Sequence, residues 1–313
     1  MDVFLARELR ERPAAPHRIP AGRGSVISLI QPFEVLFEAD LPAYKLPVDL
    51  QHLYGRLGFS TPLVYSNFVA SLDGVVTLGS KPSAGSIISG KYPADRFLMG
   101  LLRACADAVV IGAGTMRATP GHLWTPAHVY PALATEFTAL RSSLGRSPEP
   151  ALVLLTASGE LDFAHPALVK GATVVTTVAG AKKIGDRLPP TCELVAMGKG
   201  KRLDLSKTIG ELRSRGLQVL LTEGGPHVMG QLLEAKLLDE AFVTVSPVAA
   251  GRGGRGDGAQ RPSPQPSPLN GGRERFGMVE GIELLPDAGA WSRLLSARRH
   301  GDYLFLRYAF GKA

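Results

Sequence analysis

Long hydrophobic runs are missing from this chain of 313 residues. Its longest apolar stretches, Ala108 to Ile111 and Leu217 to Leu221, have the length of strands and fall far short of the roughly 18 to 20 residues that cross a bilayer, so no membrane span is expected. The first residues also lack an apolar core and a small-residue cleavage site. Asp2, Glu8 and Glu11 stand there among arginines, which fits neither a secretory signal nor a transit peptide and gives a cytoplasmic expectation. Cysteine is scarce. Cys105 and Cys192 allow at most one disulfide and no zinc-binding pair, and each lies in an apolar stretch and reads as a small core residue. Absent too are the Gly-x-x-x-x-Gly-Lys-Ser/Thr phosphate loop, the Gly-x-Ser-x-Gly elbow and the His-Glu-x-x-His and Cys-x-x-Cys motifs, while the seven histidines are scattered. Metal chemistry and triad hydrolysis therefore have no visible basis, and no metal is expected.

What is present is enough apolar material for a core: 45% hydrophobic residues against 20% charged. The net charge of +7 suggests nucleic acid until it is mapped. Residues 251–275 carry five arginines against two acids and residues 1–24 carry five against three, leaving only +2 for the rest, which is no basic nucleic-acid face.

Prolines at 13, 16, 20, 32, 42 and 47 break the first 60 residues, where only Val26 to Ile30 and Val48 to Leu57 read as short elements. This part is expected to be an extension laid on a main domain spanning 61–313. From Pro62 apolar runs alternate with helical ones. Strands are expected at Leu63 to Ala70, Ala108 to Gly112, Ala151 to Thr156, Thr173 to Val178, Glu193 to Met197, Gln218 to Thr222, Ala241 to Val248 and Tyr303 to Phe310. The clearest helix runs from Pro93 to Cys105, with Phe97, Leu98, Leu101, Leu102 and Cys105 on one stripe, and others cover Ser206 to Arg215 and Pro226 to Lys236. Strands that are apolar throughout, such as Ala108 to Ile111, need cover on both faces, which predicts an α/β fold with a mostly parallel sheet between helices. The Gly-, Pro- and Arg-rich run at 251–275 has no aromatic residue and one aliphatic, and is expected to be a disordered insertion.

Three strand ends carry polar or glycine-containing sequence. Gly112-Ala113-Gly114-Thr115 closes one strand and is read either as a tight turn or as backbone that approaches an anion or dinucleotide. Thr222-Glu223-Gly224-Gly225-Pro226 joins another to a helix start, where glycines leave room for a pyrophosphate and Glu223 stands at the strand's carboxyl end. Ser66 to Gly74 places Asn67, Ser71 and Asp73 at alternate positions, with Asp-Gly also the mark of a simple turn. Together they suggest one shared crevice.

These segments, with Asp95-Arg96-Phe97-Leu98-Met99, Leu101-Leu102-Arg103-Ala104, Asp239-Glu240 and Val245-Ser246-Pro247, closely resemble the riboflavin-biosynthesis pyrimidine reductase family, the reductase half of the bifunctional deaminase-reductase. The likeness runs over about 61–250 and resumes at about 278–310. It implies the dihydrofolate-reductase-like fold, NADPH as cofactor, a homodimer, and reduction of a ribosylamino-pyrimidinone 5′-phosphate to its ribitylamino form. Reduction of another heterocycle such as dihydrofolate, or NADPH binding without turnover, are the alternatives. The deaminase half is absent, since no His-x-Glu or Pro-Cys-x-x-Cys occurs.

Carried over by position, the resemblance implies that Gly112, Gly114 and Thr115 face NADPH and that Gly224, Gly225, Pro226, His227 and Val228 hold its phosphates. Val69 or Ala70 would touch the nicotinamide end, and Thr156 and Ser158 the adenosine ribose. Glu223, Asn67 and Asp73 are the expected catalytic residues, and Ser71, Arg103, Leu123 and Glu223 the substrate-binding ones. Arg103 matches an arginine that binds substrate phosphate, with a surface salt bridge as the plainer reading. Family members often carry two aspartates where this chain has Ala118-Thr119-Pro120-Gly121, so Thr119 stands in for a cofactor contact, and His122-Leu123-Trp124 replaces the usual basic and aromatic residues.

Overall fold

A computed structural model describes residues 30–78, 84–251, 277–286 and 289–311. Its strands are β1 (Glu34–Glu38), β2 (Leu63–Ala70), β3 (Ala108–Gly112), β4 (Ala151–Thr156), β5 (Thr173–Thr176), β6 (Glu193–Ala196), β7 (Val219–Thr222), β8 (Glu240–Val245), β9 (Ser292–His300) and β10 (Tyr303–Phe310). The helices are α1 (Val48–Tyr54), α2 (Ala84–Ile88), α3 (Pro93–Cys105), α4 (Ala113–Ala118), α5 (Pro126–Val129), α6 (Ala134–Ser143), α7 (Pro166–Lys170), α8 (Val178–Ile184), α9 (Leu205–Ser214) and α10 (Pro226–Glu234). All strands join one sheet in the order β1-β9-β10-β8-β2-β7-β3-β4-β5-β6. From β8 to β6 every pairing is parallel, while β8, β10, β9 and β1 pair antiparallel in turn. This is the mixed, mostly parallel sheet flanked by helices that the apolar strands predict.

Alternate residues of each central strand enter different cores, as a pleat buried on both faces requires. Tyr65, Val109, Ile111, Leu154 and Leu221 pack under α1, α3 and α6. Val64, Val110, Val153, Leu155 and Leu220 meet α9 and α10 on the other side. Helix α3 forms where its stripe predicts, with Pro93 in its first turn and Phe97, Leu98, Leu101 and Leu102 fully buried. Each such side chain contributes roughly 1.5–3 kcal/mol. Its last carbonyls need partners, and the buried Arg141 of α6 donates from Nη1 to the oxygens of Arg103, Ala104 and Ala106. Asp107 then fixes the entry to β3 by accepting from the N–H groups of Gln218 and Val219, which locks β3 against β7.

Several elements differ from expectation. Strands β1 and β9 are missed by periodicity: Val35, Leu36 and Phe37 of β1 are all exposed at the sheet edge rather than alternating, and β9 carries Arg293, Arg298 and Arg299 around a short Leu294-Leu295 pair. The expected strand to Val178 stops at Thr176, because the Thr177 hydroxyl accepts from the Gly180 N–H and caps α8. Residues 30–60 supply β1 at one edge of the sheet, and Phe33, Leu50, Leu53 and Phe59 belong to the main core. Most of Val26 to Ile30, and the expected insertion from 252 onward, lie outside the described residues. Cys105 is fully buried, and burial pushes its thiol up to about 12. Among the described residues, no helix is long and apolar enough to cross a membrane and no group of His, Cys, Asp and Glu is spaced to hold a metal.

Candidate active site

In a parallel sheet the carboxyl ends of the strands open onto loops and helix N-termini, and ligands settle where neighbouring connections diverge. Here β2, β7 and β3 are adjacent, and their carboxyl ends share one cavity of about 740 Å³. That is the size of a small-molecule site.

The β3 end supplies Gly112, Gly114 and Thr115 to the cavity. The chain makes no turn here but passes straight from β3 into α4, so Gly114 and Thr115 lie in the first turn of a helix. The β7 end supplies Glu223, Gly224 and Gly225, followed by Pro226, His227 and Val228 of α10. No side chain caps α10, and a Cβ on Gly224 would lie 2.8 Å from Cβ of Val228, so the backbone there can only be glycine. From β2 come Asn67 and Val69, but not Ala70.

Arg103 and Glu223 meet at the back of the cavity, with side chains 1% and 10% exposed. The guanidinium grips the carboxylate with two bonds, Nε to Oε1 at 2.8 Å and Nη2 to Oε2 at 2.6 Å. Its other N–H groups reach the carbonyls of Leu123 and Thr125 and Nε2 of His122. All five donors are thereby used. Arg103 is therefore neither a surface ion pair nor, in this arrangement, a ligand for phosphate: it orients Glu223. Because a guanidinium cannot accept, His122 must present a bare Nε2 and carry its proton on Nδ1. Burial, then the Arg103 charge, drives His122 down to about 3, which keeps it neutral.

Of the remaining expected residues, Ser71, Asp73, Leu123, Thr156 and Ser158 lie outside the cavity lining. Ser71 donates to Oδ1 of Asp73 at 2.6 Å and accepts from the Val75 N–H, and Asp73 also accepts from the N–H groups of Ala250 and Gly251. Those donors hold the exposed Asp73 carboxyl at about 2 and make the pair a clamp between two loops. Leu123 contributes its carbonyl to Arg103 while its side chain packs on the core. Thr156 and Ser158 accept from the N–H groups of Gly159 and Glu160 and shape the turn after β4. Thr119 does line the cavity, with its hydroxyl donating to the Thr115 carbonyl.

His122 and Trp124, from the segment that departs from the family pattern, line the wall; sequence reasoning missed Asp95 in that wall, Lys91 and Arg96 towards solvent, and Glu280, whose N–H donates to the Pro226 carbonyl. Asp95 is 4% exposed in the first turn of α3. Burial pushes its carboxyl up to about 6, opposed by the Thr244 and Ser89 hydroxyls and reinforced by the Glu223 charge. Its spacing, three and seven residues before Leu98 and Leu102 of the buried stripe, was the available signal.

A carboxyl-edge crevice with a glycine cradle and a buried, oriented carboxylate fits the comparisons with known proteins. Over 193 residues the chain is 24% identical to a 2,5-diamino-6-ribosylamino-4(3H)-pyrimidinone 5′-phosphate reductase of Archaeoglobus fulgidus, covering 61% of this chain and 82% of that protein. The reductase of the same name from Aquifex aeolicus is 25% identical over 184 residues, covering 58% and 75%. The crystal structure of a pyrimidine reductase-like protein from Corynebacterium diphtheriae superposes with a TM-score of 0.58 at 22% identity, covering 84% of this chain and 99% of that one, and shows the same fold. Fold, crevice and relatives define an oxidoreductase. Residues 62–264 match the RibD C-terminal domain, and the chain belongs to that family.

Proposed function

We propose that this chain reduces a ribosylamino-pyrimidinone 5′-phosphate, in its 2,5-diamino or its deaminated form, to the ribitylamino compound with NADPH. The observation that carries the reading is the convergence of three strand ends on one cavity beside the Arg103–Glu223 pair. The names of the two curated relatives supply the substrate class.

The residues present suit a dinucleotide. Gly112, Gly224 and Gly225 let backbone approach its phosphates, and the uncapped start of α10 favours negative charge. Thr115 and Thr119 stand beside them, with Val69 towards the nicotinamide end. NADPH supplies the two-electron donor, and the chain's task is to hold the ring-opened imine of the sugar at the right distance and keep water away. Glu223, acceptor-only while Arg103 holds it, reads N–H or O–H groups of the substrate. With Arg103 engaged, the cations left for the substrate phosphate among the lining residues are Lys91, Arg96 and Arg117. A homodimer in the cytoplasm belongs to the same proposal, and sedimentation of the purified protein tests the pairing.

The decisive assay mixes protein, NADPH and either pyrimidine phosphate and follows the nicotinamide absorbance. Loss of absorbance is expected; a flat trace with both compounds overturns the reading. A second reading, reduction of another heterocycle such as dihydrofolate, is favoured by the wall of Thr119, His122 and Trp124, and dihydrofolate run in parallel separates the two.

A further inference from the structure

Reducing an imine takes a proton as well as two electrons, and few groups in this cavity can give one. Glu223 has both oxygens on the Arg103 guanidinium. His122 turns a bare Nε2 to the same guanidinium and stays neutral. Neither tyrosine nor cysteine lines the cavity among the described residues, and the hydroxyl of Thr119 is already donated to a carbonyl. Lys91, Arg96, Arg117, His128 and His227 are all exposed to solvent at the rim rather than buried in the wall. Glu280 comes in at the start of α10, on the side of the dinucleotide cradle.

Asp95 is different. It is buried in the first turn of α3, lines the same cavity, and lies near Thr244 of β8, which pairs with Val69 of β2. Through that pairing it stands next to the strand that carries Asn67 and Val69 towards the reacting centre. We infer that Asp95 is the proton donor of the reaction, a role that rests on the reductase reading above.

The imine carbon C1′ accepts the hydride that the bound nicotinamide supplies, forming a C1′–H bond. The π pair of C1′=N takes the Asp95 proton and becomes an N–H bond, leaving a secondary amine and an Asp95 carboxylate that regains its proton from water. The groups facing Asp95 are the Ser89 hydroxyl from the turn before α3, the Thr244 hydroxyl from β8, Arg96 on its own helix and Glu223 from the end of β7. The hydroxyls and Arg96 favour the carboxylate, whereas burial, the largest influence, and Glu223 favour the neutral acid, which therefore survives to about pH 6.

The test is the pH dependence of kcat with the pyrimidine phosphate and NADPH, for wild type, Asp95→Asn and Asp95→Glu. The wild-type kcat should fall about tenfold per pH unit above the carboxyl's transition. Asp95→Asn should lower kcat at pH 6 by roughly 100-fold or more and lose that falling limb, while its NADPH affinity by calorimetry stays within about twofold. Asp95→Glu should restore part of the rate together with the limb. An Asp95→Asn enzyme that keeps its rate, or keeps the falling limb, overturns the assignment while leaving the substrate reading intact. A wild type inactive on both pyrimidine phosphates removes that reading and the proposal with it.

Discussion

Arg103 and Glu223 are joined by two short hydrogen bonds across the back of the cavity, one from α3 and the other from the end of β7. An ion pair this deep is less a source of stability than a fixed orientation, because desolvation of both charges offsets most of their attraction. Glu223→Ala should therefore lower kcat far more than it changes NADPH affinity. An equal loss in both would assign Glu223 to the cofactor. The same variant strands a buried guanidinium, so chemical denaturation should show a loss of about 3–5 kcal/mol. Arg103→Lys should not restore the activity lost in Arg103→Met, since an ammonium cannot hold both carboxylate oxygens and the Leu123 and Thr125 carbonyls at once.

Asp95 should cost stability at neutral pH. Its folded-state value, about 6, lies above the ordinary 3.8, so the folded protein holds a proton that the unfolded chain releases. Stability therefore falls as pH rises between these values and stays reduced above them. Asp95→Asn should be more stable than wild type at pH 8, by up to about 3 kcal/mol at 1.36 kcal/mol per unit, and no more stable at pH 3. Denaturant titrations at the two pH values check this; a gain equal at both would mean that burial of the charge is not its source.

Asp73 has the opposite sign. Its value near 2 means that the clamp on Ala250 and Gly251 contributes above the unfolded-state value and weakens as pH falls through about 2. Asp73→Asn should loosen this clamp, read as a lower Tm at pH 7 that converges with wild type at low pH. Retained kcat in the variant would bear out its place outside the cavity.

Two glycines separate tight space from open space. Gly224→Ala would push its new methyl into Val228 and displace the first turn of α10, so NADPH affinity should drop at least tenfold. Gly210→Ala meets nothing within 4 Å in the middle of α9 and should stabilise the protein by about 0.5–1 kcal/mol with unchanged kinetics.

What was legible in the sequence is what local pattern controls. The central strands, α3 and the glycine-bearing strand ends follow from apolar runs and helix-start residues a few positions apart. Strand β9 does not. It carries Arg293, Arg298 and Arg299, and Arg298 is buried only because Glu38 and the carbonyls of Tyr54 and Arg56, far away in sequence, receive its guanidinium. Asp95 was passed over for the same reason: the carboxyl is buried beside Ser89 and Thr244 and feels Glu223, and no window on α3 contains all three. Arg103 lines the cavity, but not as the free phosphate ligand that the resemblance implies. Its full set of acceptors spans His122, Leu123, Thr125 and Glu223, and only the fold counts them.

The chain leaves the neighbourhood of the cavity at Gly251, tied to Asp73, and returns to it at Glu280, tied to Pro226. Both banks of the intervening stretch are thus moored to the body independently, one to the loop after β2 and the other to the start of α10. Beyond it, β10 is zipped along the whole of β8. A scission between these moorings would leave two pieces that β8 and β10 still pair in register, and among the described residues the shorter piece would bring Glu280 alone to the cavity lining.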